Sequence, residues 1–193
     1  MLIIFTRYPR AGQAKTRLIP ALGPEGAARL QIAMTEHSLR QARGLETPIA
    51  IYYANGEARE LRDWLGEDLC YQAQADGDLG AKMLGAFWDN AGTGAVIIGT
   101  DCPGIDTQLL TQTFEALSTY DLVLGPALDG GYYLIGLRRV VPELFDQIAW
   151  STDQVLNQTL AIAQSLNLRI HLLPELPDID RPEDLPYLPQ HLL

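Results

Sequence analysis

Cysteine is scarce in this sequence: two residues, Cys70 and Cys102, in a chain of 193. Two cysteines make no disulfide framework, and no C-x-x-C or Cys/His cluster marks a zinc site. Basic residues are also few, with 14 Lys and Arg against 24 Asp and Glu, a formal net charge of −10. Sequence-independent nucleic-acid binding relies on many Lys/Arg–phosphate contacts, so this balance argues against a nucleic-acid partner. Long apolar runs are missing, and none approaches the ~20 residues needed to cross a bilayer. The start, MLIIFTRYPR, carries its basic residues on the wrong side for a signal peptide. The expected setting is therefore cytoplasmic, with no membrane span. Repeats, low-complexity tracts and linkers are absent. Apolar residues make up 47% and charged residues 20%, which excludes wholesale disorder. The length favours one domain over residues 1–193, large enough to bury about 70% of its unfolded surface.

What is present is an alternation of strand and helix character. Leu2–Thr6 is a short buried run, followed by a Gly-, Pro- and base-rich loop from Arg7 to about Gly23. Pro24 is placed to open a helix that Gln31–Arg43 continues. Strand character returns at Pro48–Ala54, Leu69–Gln72, Ala95–Gly99, Asp121–Leu124, Tyr132–Leu137 and Leu168–Leu173. Between them lie helical stretches: Glu57–Leu65, a face of Leu79, Met83, Ala86 and Phe87, another of Leu110, Phe114 and Leu117, and a last of Val155, Thr159, Ile162 and Leu166. Ser151 and Gln154 have capping-box spacing for that last helix. The pattern predicts an α/β fold with a mostly parallel sheet covered on both faces. Ligands then bind beyond the carboxyl ends of the strands, and the loops there are where chemistry is expected.

The loop after the first strand, F-T-R-Y-P-R-A-G-Q-A-K-T-R-L at 5–18, holds four of the chain's 14 basic residues. Glycine lets backbone N–H groups approach an anion, and Arg and Lys add charge, which makes a phosphate site. The spacing is neither a Walker loop nor G-x-G-x-x-G. A merely solvated basic loop is the competing reading. Asp101 follows the strand Val96–Gly99, and Asp129 stands 28 residues later in another Gly/Pro-rich turn. Mg²⁺ and Mn²⁺ favour oxygen ligands and often take one or two carboxylates plus substrate phosphate. Either Asp alone is equally a turn residue; together with the basic loop they suggest a metal–diphosphate site. Asp78 is placed to cap the helix from Leu79, while Gly77 and Gly80 would let backbone approach a nucleotide base. Asp180 and Glu183 have capping-box spacing near Pro182, with Asp178 or Asp180 as a further metal-facing carboxylate.

These segments resemble the glycosyltransferase-A-like nucleotide-diphosphosugar transferase superfamily, and within it the radical-SAM/selenodomain-associated transferase 1 family, a domain of unknown function. The resembling stretches are the 5–18 loop, G-D-L-G at 77–80, G-T-D-C-P at 99–103, G-P-A-L-D-G-G-Y-Y-L-I-G at 125–136, W-S-T at 150–152 and D-I-D-R-P-E-D-L at 178–185. They span nearly the whole chain. The resemblance implies a Rossmann-like three-layer α/β/α sandwich and a nucleotide or nucleotide-sugar ligand with a divalent cation. It places Arg7, Gly12, Lys15 and Arg17 in the nucleotide-phosphate loop and Gly77, Asp78 and Gly80 near base or ribose. It puts Asp101 at the metal-binding aspartate, in a T-D-C context rather than a full D-x-D. Asp129 is the first choice for the second ligand and Asp180 the second.

The expected activity is metal-dependent glycosyl transfer from a nucleotide sugar to a small-molecule acceptor. Lys15, Asp101 and Asp129 carry the chemistry, with Tyr132, Tyr133 and Trp150 beside the acceptor. Nucleotidyl transfer with pyrophosphate release and nucleotide binding without turnover are the alternatives. His37, His171 and His191 are scattered and read as structural, and Cys102 reads as a buried thiol rather than a nucleophile. The tail Leu185–Leu193 either packs on the body or joins a subunit contact in a homo-oligomer.

Overall fold

A computed structural model describes residues 1–92 and 94–192. One seven-stranded sheet contains β1 (Leu2–Arg7), β2 (Ile49–Ala54), β3 (Cys70–Ala73), β4 (Ala95–Gly99), β5 (Leu122–Pro126), β6 (Tyr132–Leu137) and β7 (Ile170–Leu172). The α-helices among the described residues are α1 (Ile19–Ala42), α2 (Ala58–Leu65), α3 (Leu79–Asp89), α4 (Thr107–Leu117) and α5 (Val155–Ser165). The strand order is β3-β2-β1-β4-β6-β5-β7. Each pairing is parallel except those of β6, which runs antiparallel to both β4 and β5. Only residues 127–131 join β5 to β6. A parallel crossover needs a dozen residues or more, so this short turn forces the reversal.

Alternate residues of each strand face opposite sides of the sheet. Leu2 and Ile4 of β1 pack with Ile51, Val96 and Ile98 against Leu39 of α1, Leu61 of α2 and Leu110 of α4. Ile3 packs with Ile97 and Leu124 against Phe87 of α3 and Ala163 of α5. The result is a three-layer α/β/α sandwich with a mostly parallel sheet. No helix among the described residues is long and apolar enough to cross a membrane.

Helix α1 bends at Gly23, whose φ of 70° and ψ of 167° leave the helical region. Pro24 opens the straight part beyond the bend, where a fixed φ and a missing N–H cost nothing. After β7 the chain returns across the carboxyl ends of the strands. Leu176 bridges to Ala127, and Ile179 N–H donates to the Asp101 carbonyl at 2.8 Å. Ile179, Leu188 and Leu192 then form a separate apolar cluster with Leu18 and with Leu30 and Met34 of α1. The tail thus packs on the body as far as Leu192; Leu193 lies outside the described residues.

Two local expectations are corrected. Ser151 does not cap α5: its φ is +64°, and the helix starts only at Val155. Near Pro182 the reciprocal cap comes from Asp184, not Glu183, because the helical turn begins after Arg181 and its third position is Asp184. The Asp184 Oδ2 accepts from the Asp180 N–H at 3.0 Å and the Arg181 N–H at 2.7 Å.

Candidate active site

From β1 the sheet continues to β2 on one side and to β4 on the other, so connections leave this pair in opposite directions. Such a switch point opens a crevice at the carboxyl ends of the strands. A cavity of about 540 Å³ lies there, within the usual range for small-molecule sites. The ends of β1 (Arg7) and β4 (Thr100, Asp101), the β5–β6 turn (Asp129), the start of β6 (Tyr132, Tyr133), the first turn of α3 and the returning chain at Asp178 all line it.

One wall carries carboxylates. Asp101 accepts an ion pair from Lys15, Nζ to Oδ1 at 2.7 Å, with the Lys15 side chain 3% exposed and that of Asp101 53% exposed. Lys15 Nζ also donates to the Ile179 carbonyl. Lys15 has a left-handed backbone, φ 48°, unusual for a residue with a side chain. The loop therefore turns sharply enough to aim this lysine inward, behind Asp101. Asp129 Oδ1 accepts from the Gly131 N–H at 2.8 Å, which fixes the turn. Gly130 in that turn has φ +86°, and a Cβ there would meet the Asp153 carbonyl oxygen at 2.3 Å, so the turn lies directly on the segment leading into α5. Asp178 faces the same space. Burial first, and then the neighbouring Asp129, push its carboxyl up to about 6.

These donors are hard oxygens lining the same cavity. Among the described residues no three His, Cys, Asp or Glu side chains stand together as a ready cage. The set fits a Mg²⁺- or Mn²⁺-type ion that draws part of its shell from substrate oxygens.

The sequence-predicted residues are distributed as follows. Arg7, Gly77, Asp78, Asp101 and Asp129 line the cavity together. Lys15 reaches it through Asp101. Asp180 is absent from the lining and pairs with Arg17 instead, so the basic loop and the returning chain are stapled by Lys15 on the Ile179 carbonyl and by Arg17–Asp180. Gly12, φ +77°, has open space around it. Gly80 is buried under Trp150, where a Cβ would fall 2.5 Å from the indole nitrogen. Asp78 caps α3 through the Ala81 N–H at 2.8 Å. Tyr132, Tyr133 and Trp150 all line the cavity. Burial pushes the Cys102 thiol up to about 12, so it is not a thiolate nucleophile at neutral pH.

Sequence reasoning missed Lys82, which lines the cavity from α3, and a buried polar floor. In that floor Gln31 Nε2 donates to Thr35 Oγ1 at 3.0 Å and Thr100 Oγ1 at 3.1 Å, and Thr6 and Thr35 share a hydrogen bond at 3.1 Å. The network ties α1 to the ends of β1 and β4. A Gln with a Thr one turn later gives no signal of its own; only the contact with strand ends makes it visible.

The sequence profile described as "Uncharacterized protein conserved in bacteria (DUF2064)" matches residues 33–152. A structure from Desulfovibrio desulfuricans G20, provisionally named a nucleotide-diphospho-sugar transferase, is 32% identical, with a TM-score of 0.92 over 98% of this chain and 86% of that one. CMP:2-keto-3-deoxy-manno-octonic acid synthetase complexed with CTP shares the fold at 11% identity and TM-score 0.59, over 97% of this chain and 95% of that one. A Mycobacterium tuberculosis H37Rv protein in complex with manganese does so at 16% and 0.58, over 97% and 96%. No curated protein matches the chain.

Proposed function

The chain belongs to the DUF2064 family, and on that premise we propose that it is a transferase acting on a nucleotide-activated donor, a nucleotide sugar, with a divalent cation at its carboxylate wall. The observation that carries this reading is the meeting of Arg7, Asp101, Asp129 and Asp178 around one cavity at the sheet's switch point. The provisional name of the 32%-identical relative supports a nucleotide-diphosphosugar donor. The manganese in the more distant neighbour supports a cation of the Mg²⁺ or Mn²⁺ kind.

In this reading Asp101 and Asp129 hold the cation, with Asp178 beside them and Asp180 outside the set. When bound, the cation offsets negative charge growing on the departing nucleoside diphosphate. Lys15 is a positioning residue: its buried ammonium fixes the rotamer of Asp101 and ties it to the returning chain. Gly77 and Asp78 form the wall for base or ribose. Gly12 acts through backbone shape, Gly80 through packing against Trp150, and Arg17 through its ion pair with Asp180. Tyr132, Tyr133 and Trp150 present aromatic surface to a small-molecule acceptor, over one domain spanning residues 1–193.

The test is product analysis. The protein is incubated with Mn²⁺ and UDP-, GDP-, CDP- or ADP-sugars, or with NTPs plus sugar phosphates. Mn²⁺-dependent release of a nucleoside diphosphate from a nucleotide sugar, abolished by Asp101→Ala, is the expected result. Release of pyrophosphate from an NTP replaces the reading with nucleotidyl transfer. Metal-dependent nucleotide binding with no donor consumed replaces it with a binding protein.

A further inference from the structure

The basic side chains near the cavity differ in how far they are already committed. Arg10 donates to both oxygens of Glu60, each at 3.0 Å. Lys15 is buried against Asp101 and the Ile179 carbonyl. Arg17 is paired with Asp180. Two cations on the cavity wall remain: Arg7 at the end of β1 and Lys82 on α3. Among the described residues no carboxylate lies within 4 Å of either. The nearest acidic candidate on the helix itself, Asp78 one turn before Lys82, is occupied by the Ala81 N–H at 2.8 Å. Helix α3 is a firm mount. Its first turn is capped by Asp78 and clamped where Gly80 lies under Trp150, and Met83 and Phe87 sit in the core.

The cavity lining thus combines carboxylates from β4, the β5–β6 turn and the returning chain with cations from β1 and α3 that make no ion pair among the described residues. A ligand matching both needs oxygens that share a cation with the carboxylates and further anionic oxygens for the basic side chains. A diphosphate or triphosphate has that form; a neutral sugar does not. We infer that Lys82, together with Arg7, grips the polyphosphate of the substrate, and that Lys15 and Arg17 do not. This rests on reading the cavity as a nucleotide-donor site, and deepens it by naming the part of the donor that the enzyme holds.

The probe is inorganic pyrophosphate with Mg²⁺, measured by titration calorimetry on the full chain, alongside the nucleotide panel. Lys82→Gln and Arg7→Gln should each weaken pyrophosphate binding about tenfold, with a smaller salt dependence because one screened charge contact is gone. Lys82→Arg should recover most of the affinity, and Arg17→Gln should change it less than twofold. Thermal unfolding checks that every variant is folded. Wild-type-like binding by both Gln variants overturns the inference, as does a wild type that ignores pyrophosphate. If Lys82 and Arg7 are needed for pyrophosphate yet no nucleotide is bound or consumed, the inference stands and the nucleotide-donor reading fails. If donor turnover and its KM are unchanged in Lys82→Gln, the donor reading stands and the inference fails.

Discussion

Asp178 is partly buried, faces Asp129 and has no ion-pair partner among the described residues. Its carboxyl sits at about 6 in the fold, against 3.8 for the free side chain. The protonated form is therefore favoured by folding, and the ionised form costs stability above pH 6. That cost is relieved as pH falls through 6, and it vanishes near 4, where the unfolded chain is protonated too. Discounted for partial solvent exposure, the penalty is roughly 1 kcal/mol. In chelator at pH 7.5, Asp178→Asn should raise Tm by about 2–4 °C, and the gain should disappear by pH 4. Calorimetric scans of both proteins at the two pH values check this; an equal or lower Tm at pH 7.5 would mean that Asp178 is stabilised where it stands. The cysteines give a second test at this scale. Cys70 is exposed and Cys102 is buried with its thiol pushed up to about 12. An aromatic disulfide reagent at pH 8 should modify one thiol in the native protein and two in denaturant, and Cys102→Ala should retain donor turnover.

Among the elements, α3 bears most directly on the cavity. Gly80 sits in its first turn, and a Cβ there would fall 2.5–2.6 Å from three atoms of the Trp150 ring. Gly80→Ala must push Trp150 toward the cavity or tilt the helix. Overpacking of this kind costs about 1–3 kcal/mol. Denaturant unfolding should show that loss, and acceptor KM should rise more than donor KM, since Trp150 lies on the proposed acceptor side. The same helix shows what the sequence conveyed. Its periodicity correctly marked Met83, Ala86 and Phe87 as core. It also marked Leu79, which is 45% exposed at the cavity, and passed over Lys82, because the first turn of α3 meets the cavity while its later turns meet the sheet. Apolar spacing reports a helix face, not which end of that face reaches a crevice. The strands were legible from their apolar runs, and the loops after β1, β4 and β5 from the placement of Gly, Pro, Asp and base. The break at Gly23 was legible from the Gly-Pro pair, which ends the loop and opens the straight helix. The left-handed Ser151 carried no signal of its own, and the Gln31–Thr100 floor was not legible because it joins residues far apart in the chain.

Across the whole molecule, the small cluster outside the sandwich connects folding to the site. Leu188 and Leu192 pack on Leu18, Leu30 and Met34, and Ile179 is fully buried in the same cluster. Ile179 also supplies the carbonyl that receives Lys15 and the N–H that meets the Asp101 carbonyl at 2.8 Å. Loosening the cluster should therefore reach Asp101 without touching it. The double variant Leu188→Ala/Leu192→Ala removes two buried side chains at roughly 2–3 kcal/mol each, so about 5 kcal/mol in all. Leu61→Ala, in the core on α2 and away from the cavity, is the control, with a loss of about 3 kcal/mol. At a temperature where circular dichroism shows all three proteins folded, the double variant should bind Mn²⁺ and nucleotide several-fold more weakly than wild type, and Leu61→Ala should bind as wild type does. Equal binding by the double variant would mean that the Lys15–Asp101 pair holds the returning chain without help from the tail. A parallel loss in Leu61→Ala would mean that affinity follows global stability, and that the tail has no privileged link to the carboxylate wall.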